Sequence, residues 1–158
     1  MPTIIAIDPG ASGAVAWRNG LRHDHIGTKS TMGLASQSEL IYGLRDMTGH
    51  AVAYIEQVGG FIGKPQPGSA MFKFGQNYGR WLGILETLKI RTVLVRPQTW
   101  QKTIGLGSTL KGPERKRALR DVAKRLYPQH GVTLANCDAL LILEHAIQAE
   151  GRREGGAT

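Results

Sequence analysis

The sequence predicts an α/β domain in which a mixed sheet is covered by helices. Two observations carry that reading. Apolar runs at Ile4–Ile7 and Ala51–Ile55 each stop at a lone acid, as buried strands do on leaving a sheet. Segments 70–88 and 136–150 instead repeat apolar residues at helical spacing.

In chain order, TIIAIDPG is a buried strand ending in a Gly-rich turn at Asp8–Gly10. SGAVAWRNG alternates as a second strand, turns at Asn19–Gly20 and continues into a third over Leu21–Ile26. Ser36 can cap a helix through Leu40, Ile41, Leu44 and Met47. Ala51–Ile55 delivers Glu56 at its carboxyl end. Residues 57–69 are a Gly- and Pro-rich loop. The helix over 70–88 contains Gly75, Gly79 and Gly83, a spacing that permits close packing although each glycine costs about 1 kcal/mol of propensity. Thr92–Val95 is a fifth strand, and Pro97 opens a short helix holding Trp100 and Lys102. A loop over 105–112 leads to a basic helix from Pro113 that ends before Pro128. The last helix covers about 136–150. Residues 1–150 form one domain, and 151–158 are expected to be a flexible, solvent-exposed tail.

A chain of 158 residues with 41% hydrophobic residues can fill one core. Its formal net charge of +8 favours a polyanionic partner, nucleic acid first, over a merely basic surface or an acidic lipid. Cys137 is the only cysteine, which excludes an internal disulfide and fits a reducing, cytoplasmic location. No leader and no run of 18 apolar residues suggests secretion or membrane spanning.

Three isolated acids stand out. Asp8 ends the first strand ahead of PGASG; either it bonds its own turn or it lines a cleft where Gly10 and Gly13 admit a metal or phosphate. Actin-like nucleotide-binding folds use the same arrangement. Glu56 could pair with a loop cation or line a site at the carboxyl edge of the sheet. Asp138 opens LANCDALLILEHA, where it could serve the helix dipole, although Asn136 is better placed as the cap. If the three converge, their mutual repulsion calls for a cation, and an all-oxygen donor set suits Mg²⁺ or Mn²⁺. Two such ions could activate water and stabilise the leaving oxygen at a phosphodiester. His145 lies two turns past Asp138, roughly 10 Å along the helix, and could only flank such a site.

The basic residues supply a framework. KGPERKRALRDVAKR holds seven basic residues and two acids, and Arg117, Arg120 and Lys124 can share a face, as can Lys116 and Arg120. Such a helix is either solvated or holds a nucleic-acid backbone. Lys102 follows the fifth strand closely enough to approach the acids. Lys73 and Arg80 could extend a cationic track, Lys64 lies in the Gly-Pro loop, and Phe61 in that loop either packs back or meets a base. Trp81 and Trp100 read as core anchors.

Four stretches resemble the RuvC type of Holliday junction resolvase: IAIDPG, YIEQV, SAMFKFGQNYGRWLGIL and CDALLILEHA, with VRPQTWQKTIG between the last two. The resemblance covers residues 3–150 in the expected order. It implies an RNase H-like fold with a five-stranded mixed sheet flanked by helices, and a homodimer that nicks a four-way junction in pairs with Mg²⁺, two ions per site. It implies Asp8, Glu56 and Asp138 as metal ligands, Lys102 at the scissile phosphate and Phe61 at the crossover. Lys111, Lys116, Arg117 and Arg120 would contact the DNA backbone, and the charge pattern adds Lys64, Lys73 and Arg80 as DNA-binding candidates. One departure stands out: the family's fourth metal-associated position matches Ala135, which has no donor side chain. A broader flap or fork nuclease, a junction binder without catalysis and an actin-like ATPase are the competing readings.

Overall fold

Every residue of the first strand, β1 (Thr3–Ile7), is buried, the pattern of a central strand covered on both faces. The computed structural model describes residues 2–19, 26–30, 33–47, 49–59, 67–106 and 109–156. In it β1 pairs antiparallel with β2 (Ala14–Arg18), which pairs antiparallel with β3 (Ile26–Ser30). On its other side β1 pairs parallel with β4 (Ala51–Glu56), and β4 with β5 (Arg91–Val95). The five-stranded order is β3-β2-β1-β4-β5, the mixed sheet expected. The third strand lies at Ile26–Ser30 rather than before Ile26, and residues 20–25 lie outside the described set.

Among the described residues five helices flank the sheet: α1 (Leu34–Asp46), α2 (Gly68–Thr87), α3 (Pro97–Thr103), α4 (Gly112–Leu126) and α5 (Cys137–Gly155). Side-chain alternation along the strands sorts the interior into two cores. Ile4, Ala6, Val52 and Tyr54 pack toward α5, with Trp100 of α3 and Leu119 of α4. Ile5, Ile7, Ala53 and Ile55 pack toward α1 and α2, against Ile41, Trp81 and Leu85. The start of α5 is buried on all sides: Leu140, Leu141, Ile142 and Leu143 are each 0% exposed. Each such side chain contributes about 1.5–3 kcal/mol on burial.

Three features of the helices differ from expectation. Helix α1 starts at Leu34 with Gly33 as its extended N-cap, so Ser36 sits inside the first turn and caps nothing. Gly75, Gly79 and Gly83 mediate no close packing among the described residues; a Cβ at each would meet open space there. Helix α5 runs on to Gly155, so the expected tail is helical over most of its length. Arg152 and Arg153 stand in its last turn, where cations complement the helix dipole. Upstream, Glu150 anchors it: Tyr54 Oη donates to Glu150 Oε1 at 2.6 Å and Arg91 Nη2 to Oε2 at 2.6 Å. Burial works against the Glu150 charge, but these two bonds hold its carboxyl below the usual range. Burial and the Glu150 carboxylate push the Tyr54 hydroxyl up to about 12.

Candidate active site

Strand parity and register assemble the site. Asp8 and Glu56 continue the alternation of Ile4, Ala6 and of Val52, Tyr54, so both fall on the α5 side of the sheet. Ile7 is in register with Ile55 across the parallel pair, which sets the two acids side by side where β1 and β4 end. Asp138, in the first turn of α5, completes the group.

A tight loop holds Asp8. Its N–H donates to the Ala14 carbonyl at 3.0 Å, and the Gly10 N–H donates to its Oδ1 at 3.0 Å. The loop folds back so closely that a Cβ on Gly13 would stand 2.2 Å from the Asp8 carbonyl oxygen and 2.8 Å from Cγ. Gly13→Ala is therefore expected to destabilise the protein by about 1–3 kcal/mol through overpacking, measured by denaturant unfolding. An unchanged midpoint would show that the loop relaxes freely.

Glu56 is oriented by Trp100, whose Nε1–H donates to Oε2 at 3.2 Å; Trp100 is buried to 1% exposure, so the anchor cannot swing away. Asp138 accepts a hydrogen bond from Lys116 Nζ at Oδ2 and the Cys137 thiol approaches its Oδ1 at 3.4 Å. Its neighbour Asn136 makes no side-chain cap bond and braces the preceding loop instead, accepting from the Thr133 N–H at 2.7 Å and donating to the Gly131 carbonyl at 3.1 Å. Ala135 is exposed in that loop, its N–H on Thr133 Oγ1.

The acids sense one another. Burial raises the Asp8 carboxyl above its ordinary value, and Asp138 raises it further. Burial, then Asp8 and Asp138, push Glu56 up to about 7. Lys116 answers this charge: burial works against its ammonium, but Asp138 and, more weakly, Asp8 raise its pKa. Cys137 is buried and inert, its thiol pushed up to about 12 chiefly by burial and then by Asp138.

Three half-buried carboxylates, two of them with raised proton affinity, with no imidazole or free thiolate among them, match the donor chemistry of a hard divalent cation. As the side chains stand, no three His, Cys, Asp or Glu among the described residues close into a metal-holding group. At Asp138 the Lys116 ammonium takes the place that a cation would hold.

Beside the acids opens a cleft of about 560 Å³ lined by Asp8, Glu56, Val58, Phe74, Arg96 and Gln98. The cation beside the acids is Lys116, with Arg96 in the cleft wall. Lys102, placed near the acids by sequence proximity, lines a different hollow with Thr99, Gln148 and Arg152. Arg80 lies with Tyr42 and Ile84 in an apolar hollow of about 590 Å³ between α1 and α2, which holds none of the three acids. Lys73, Lys111 and Arg117 are exposed, and Arg120 pairs with Asp121 at 3.0 Å. Phe61 and Lys64 lie outside the described residues. His145 and Glu144 serve elsewhere: His145 Nδ1 meets Thr103 Oγ1 at 2.8 Å, and Glu144 accepts from Tyr127 at 3.0 Å and Gln148 at 2.9 Å. Arg96 carried a signal in the sequence, since it directly follows the strand beside Glu56. Trp100 reads in the sequence only as a core residue.

Sheet order, strand sense and acids at the ends of the first and fourth strands together define an RNase H-like α/β fold with an acidic cleft at the carboxyl edge of its sheet. In sequence, the chain matches no family model and no curated protein. In structure it is similar to RuvC of Thermus thermophilus, with a TM-score of 0.61 at 15% identity over 94% of this chain and 96% of that one. It is also similar to T. thermophilus RuvC in complex with a Holliday junction substrate, with a TM-score of 0.60 at 14% identity over 96% of each chain. The likeness spans nearly the whole chain and establishes a RuvC-like fold.

Proposed function

We propose that the protein is a structure-selective DNA endonuclease that resolves four-way junctions by paired nicks, working as a homodimer in the bacterial cytoplasm. The observation that carries this reading is the half-buried carboxylate group Asp8–Glu56–Asp138 at the carboxyl edge of a RuvC-like sheet. The structural neighbour's complex with a Holliday junction supports the substrate class. A net charge of +8 supports a polyanionic one.

Asp8, Glu56 and Asp138 would hold Mg²⁺ or Mn²⁺, two ions per site, and such ions supply Lewis acidity that activates water and offsets charge on the leaving oxygen. The protein's own groups position and neutralise. Gly10 fixes the Asp8 carboxylate and Trp100 that of Glu56. Lys116, released from Asp138, would place its ammonium against a phosphate, with Arg96 on the cleft wall as a second donor. Lys111, which precedes α4, Arg117 and Arg120 of α4, and Lys73 of α2 would follow the DNA backbone. Lys102 would meet it farther from the acids. The glycine face of α2, clear of other described residues, would be one place for the second subunit to pack.

The test incubates the protein with labelled four-way, forked, flapped and linear DNA in Mg²⁺ or Mn²⁺. Symmetric nicks in the four-way substrate alone are expected. Equal cleavage of every branched substrate would assign a broader flap or fork nuclease. Tight junction binding without nicks would assign a non-catalytic binder, the reading that Ala135 and the Lys116–Asp138 pair favour.

A further inference from the structure

The peptide unit between Pro9 and Gly10 is held at both ends. Its N–H, on Gly10, donates to Asp8 Oδ1 at 3.0 Å. Its carbonyl, on Pro9, accepts from Asn77 Nδ2 of α2 at 2.8 Å. A peptide unit is planar, so fixing the oxygen fixes the direction of the N–H on its far side. Asn77 is itself oriented: its Oδ1 accepts from Gln37 Nε2 of α1 at 2.9 Å. With its oxygen on Gln37, the Asn77 amide can turn only its NH₂ toward Pro9. From these contacts we infer that Asn77 is a positioning residue. It grips the 9–10 peptide plane so that the Gly10 N–H aims the Asp8 carboxylate, and Gln37 fixes the orientation of the Asn77 amide.

The arrangement works against local stability, which argues that it serves the site. Gln37 is 0% exposed, and its Oε1, like Trp81 Nε1 one turn beyond Asn77, has no hydrogen-bond partner among the described residues. Leaving a buried polar atom unmade costs about 1–3 kcal/mol, whereas an apolar pair of the same shape would cost nothing of that kind. Proline at position 9 adds to the dependence on Asn77. Having no N–H of its own, Pro9 offers the loop only its carbonyl as a handle.

The inference rests on the proposed nuclease reading for its consequence but not for its main measurement. Amide hydrogen exchange would be followed at Gly10 in the full-length, ¹⁵N-labelled protein, with Leu85 as a core reference. Asn77→Ala is expected to speed Gly10 exchange by about tenfold while leaving Leu85 unchanged. Asn77→Asp keeps the acceptor for Gln37 but loses the donor toward Pro9, so it should behave alike and serves if the alanine variant fails to fold. Four-way DNA affinity, measured without divalent ions, should stay within about threefold. Single-turnover cleavage should fall about 10²-fold, as misplacement of a reacting group by an ångström does. Unchanged Gly10 exchange in both variants overturns the inference, as does acceleration spread evenly over the sheet, which would mark Asn77 as merely structural. If the wild-type protein cleaves no DNA yet Gly10 responds as expected, the positioning role stands and the nuclease reading falls.

Discussion

Asp8→Asn is expected to lower junction cleavage by at least about 10³-fold while leaving junction affinity within a few-fold of wild type. Asparagine keeps an oxygen for the Gly10 N–H and matches the aspartate in shape, so the loop closed by Gly13 keeps its form. The change is therefore confined to charge. It removes one of the three negative charges, including one that raises the Glu56 carboxyl, and with it much of the demand for a cation between β1, β4 and α5. Cleavage would be read under single turnover with saturating Mn²⁺, and affinity by gel shift without divalent ions. A variant that cleaves at the wild-type rate would take Asp8 out of the catalytic group. One that loses binding in step with cleavage would place Asp8 in DNA recognition instead.

The second large effect concerns stability against pH. Glu56 has a folded pKa near 7 against an ordinary 4.5, so between these values the folded protein holds a proton that the unfolded chain has released. Stability then falls as pH rises through this window and levels off above it. The gap between the two values corresponds to roughly 3 kcal/mol, and Asp8, also raised, acts in the same direction. Glu56→Gln should remove most of this loss, since glutamine keeps an acceptor for Trp100 without the charge. In metal-free buffer the variant should match wild type near pH 4 and exceed it by up to about 3 kcal/mol at pH 8, measured by urea unfolding. Added Mn²⁺ should then raise the stability of wild type at pH 8 and leave the variant nearly unmoved. Parallel pH profiles for the two proteins would refute the coupling.

The sheet could be read from the chain because its signals are local. Ile4–Ile7 and Ala51–Ile55 are too short and too apolar to be anything but buried strands, and each carries its acid one step past the last apolar residue. Parity alone then points Asp8 and Glu56 to one face. What escaped depends on contacts between distant segments. In the sequence Lys116 reads as one more cation of a basic helix, yet that helix packs on α5 so that this lysine reaches Asp138. Lys102 sits closer in sequence to the strand ends, but α3 turns it toward Gln148 and Arg152. Asn77 offers no signal in an isolated sequence, because its two partners lie 68 and 40 residues away. The last helix outran its expected end because Gly151 and the charged residues after it look like a tail, whereas Glu150 anchors it from the inside.

That anchoring sets a mechanical reference for the reaction centre. Asp138 and Glu150 sit on one continuous helix, about 18 Å apart at 1.5 Å per residue, with the first at the carboxyl edge and the second clamped by Tyr54 and Arg91. The axial position of the third acid is thus gauged from the opposite side of the molecule, as a depth stop gauges a drill. A graft or chimera that exchanges the final turns of this helix as dispensable would recalibrate the cleft without altering any residue that lines it.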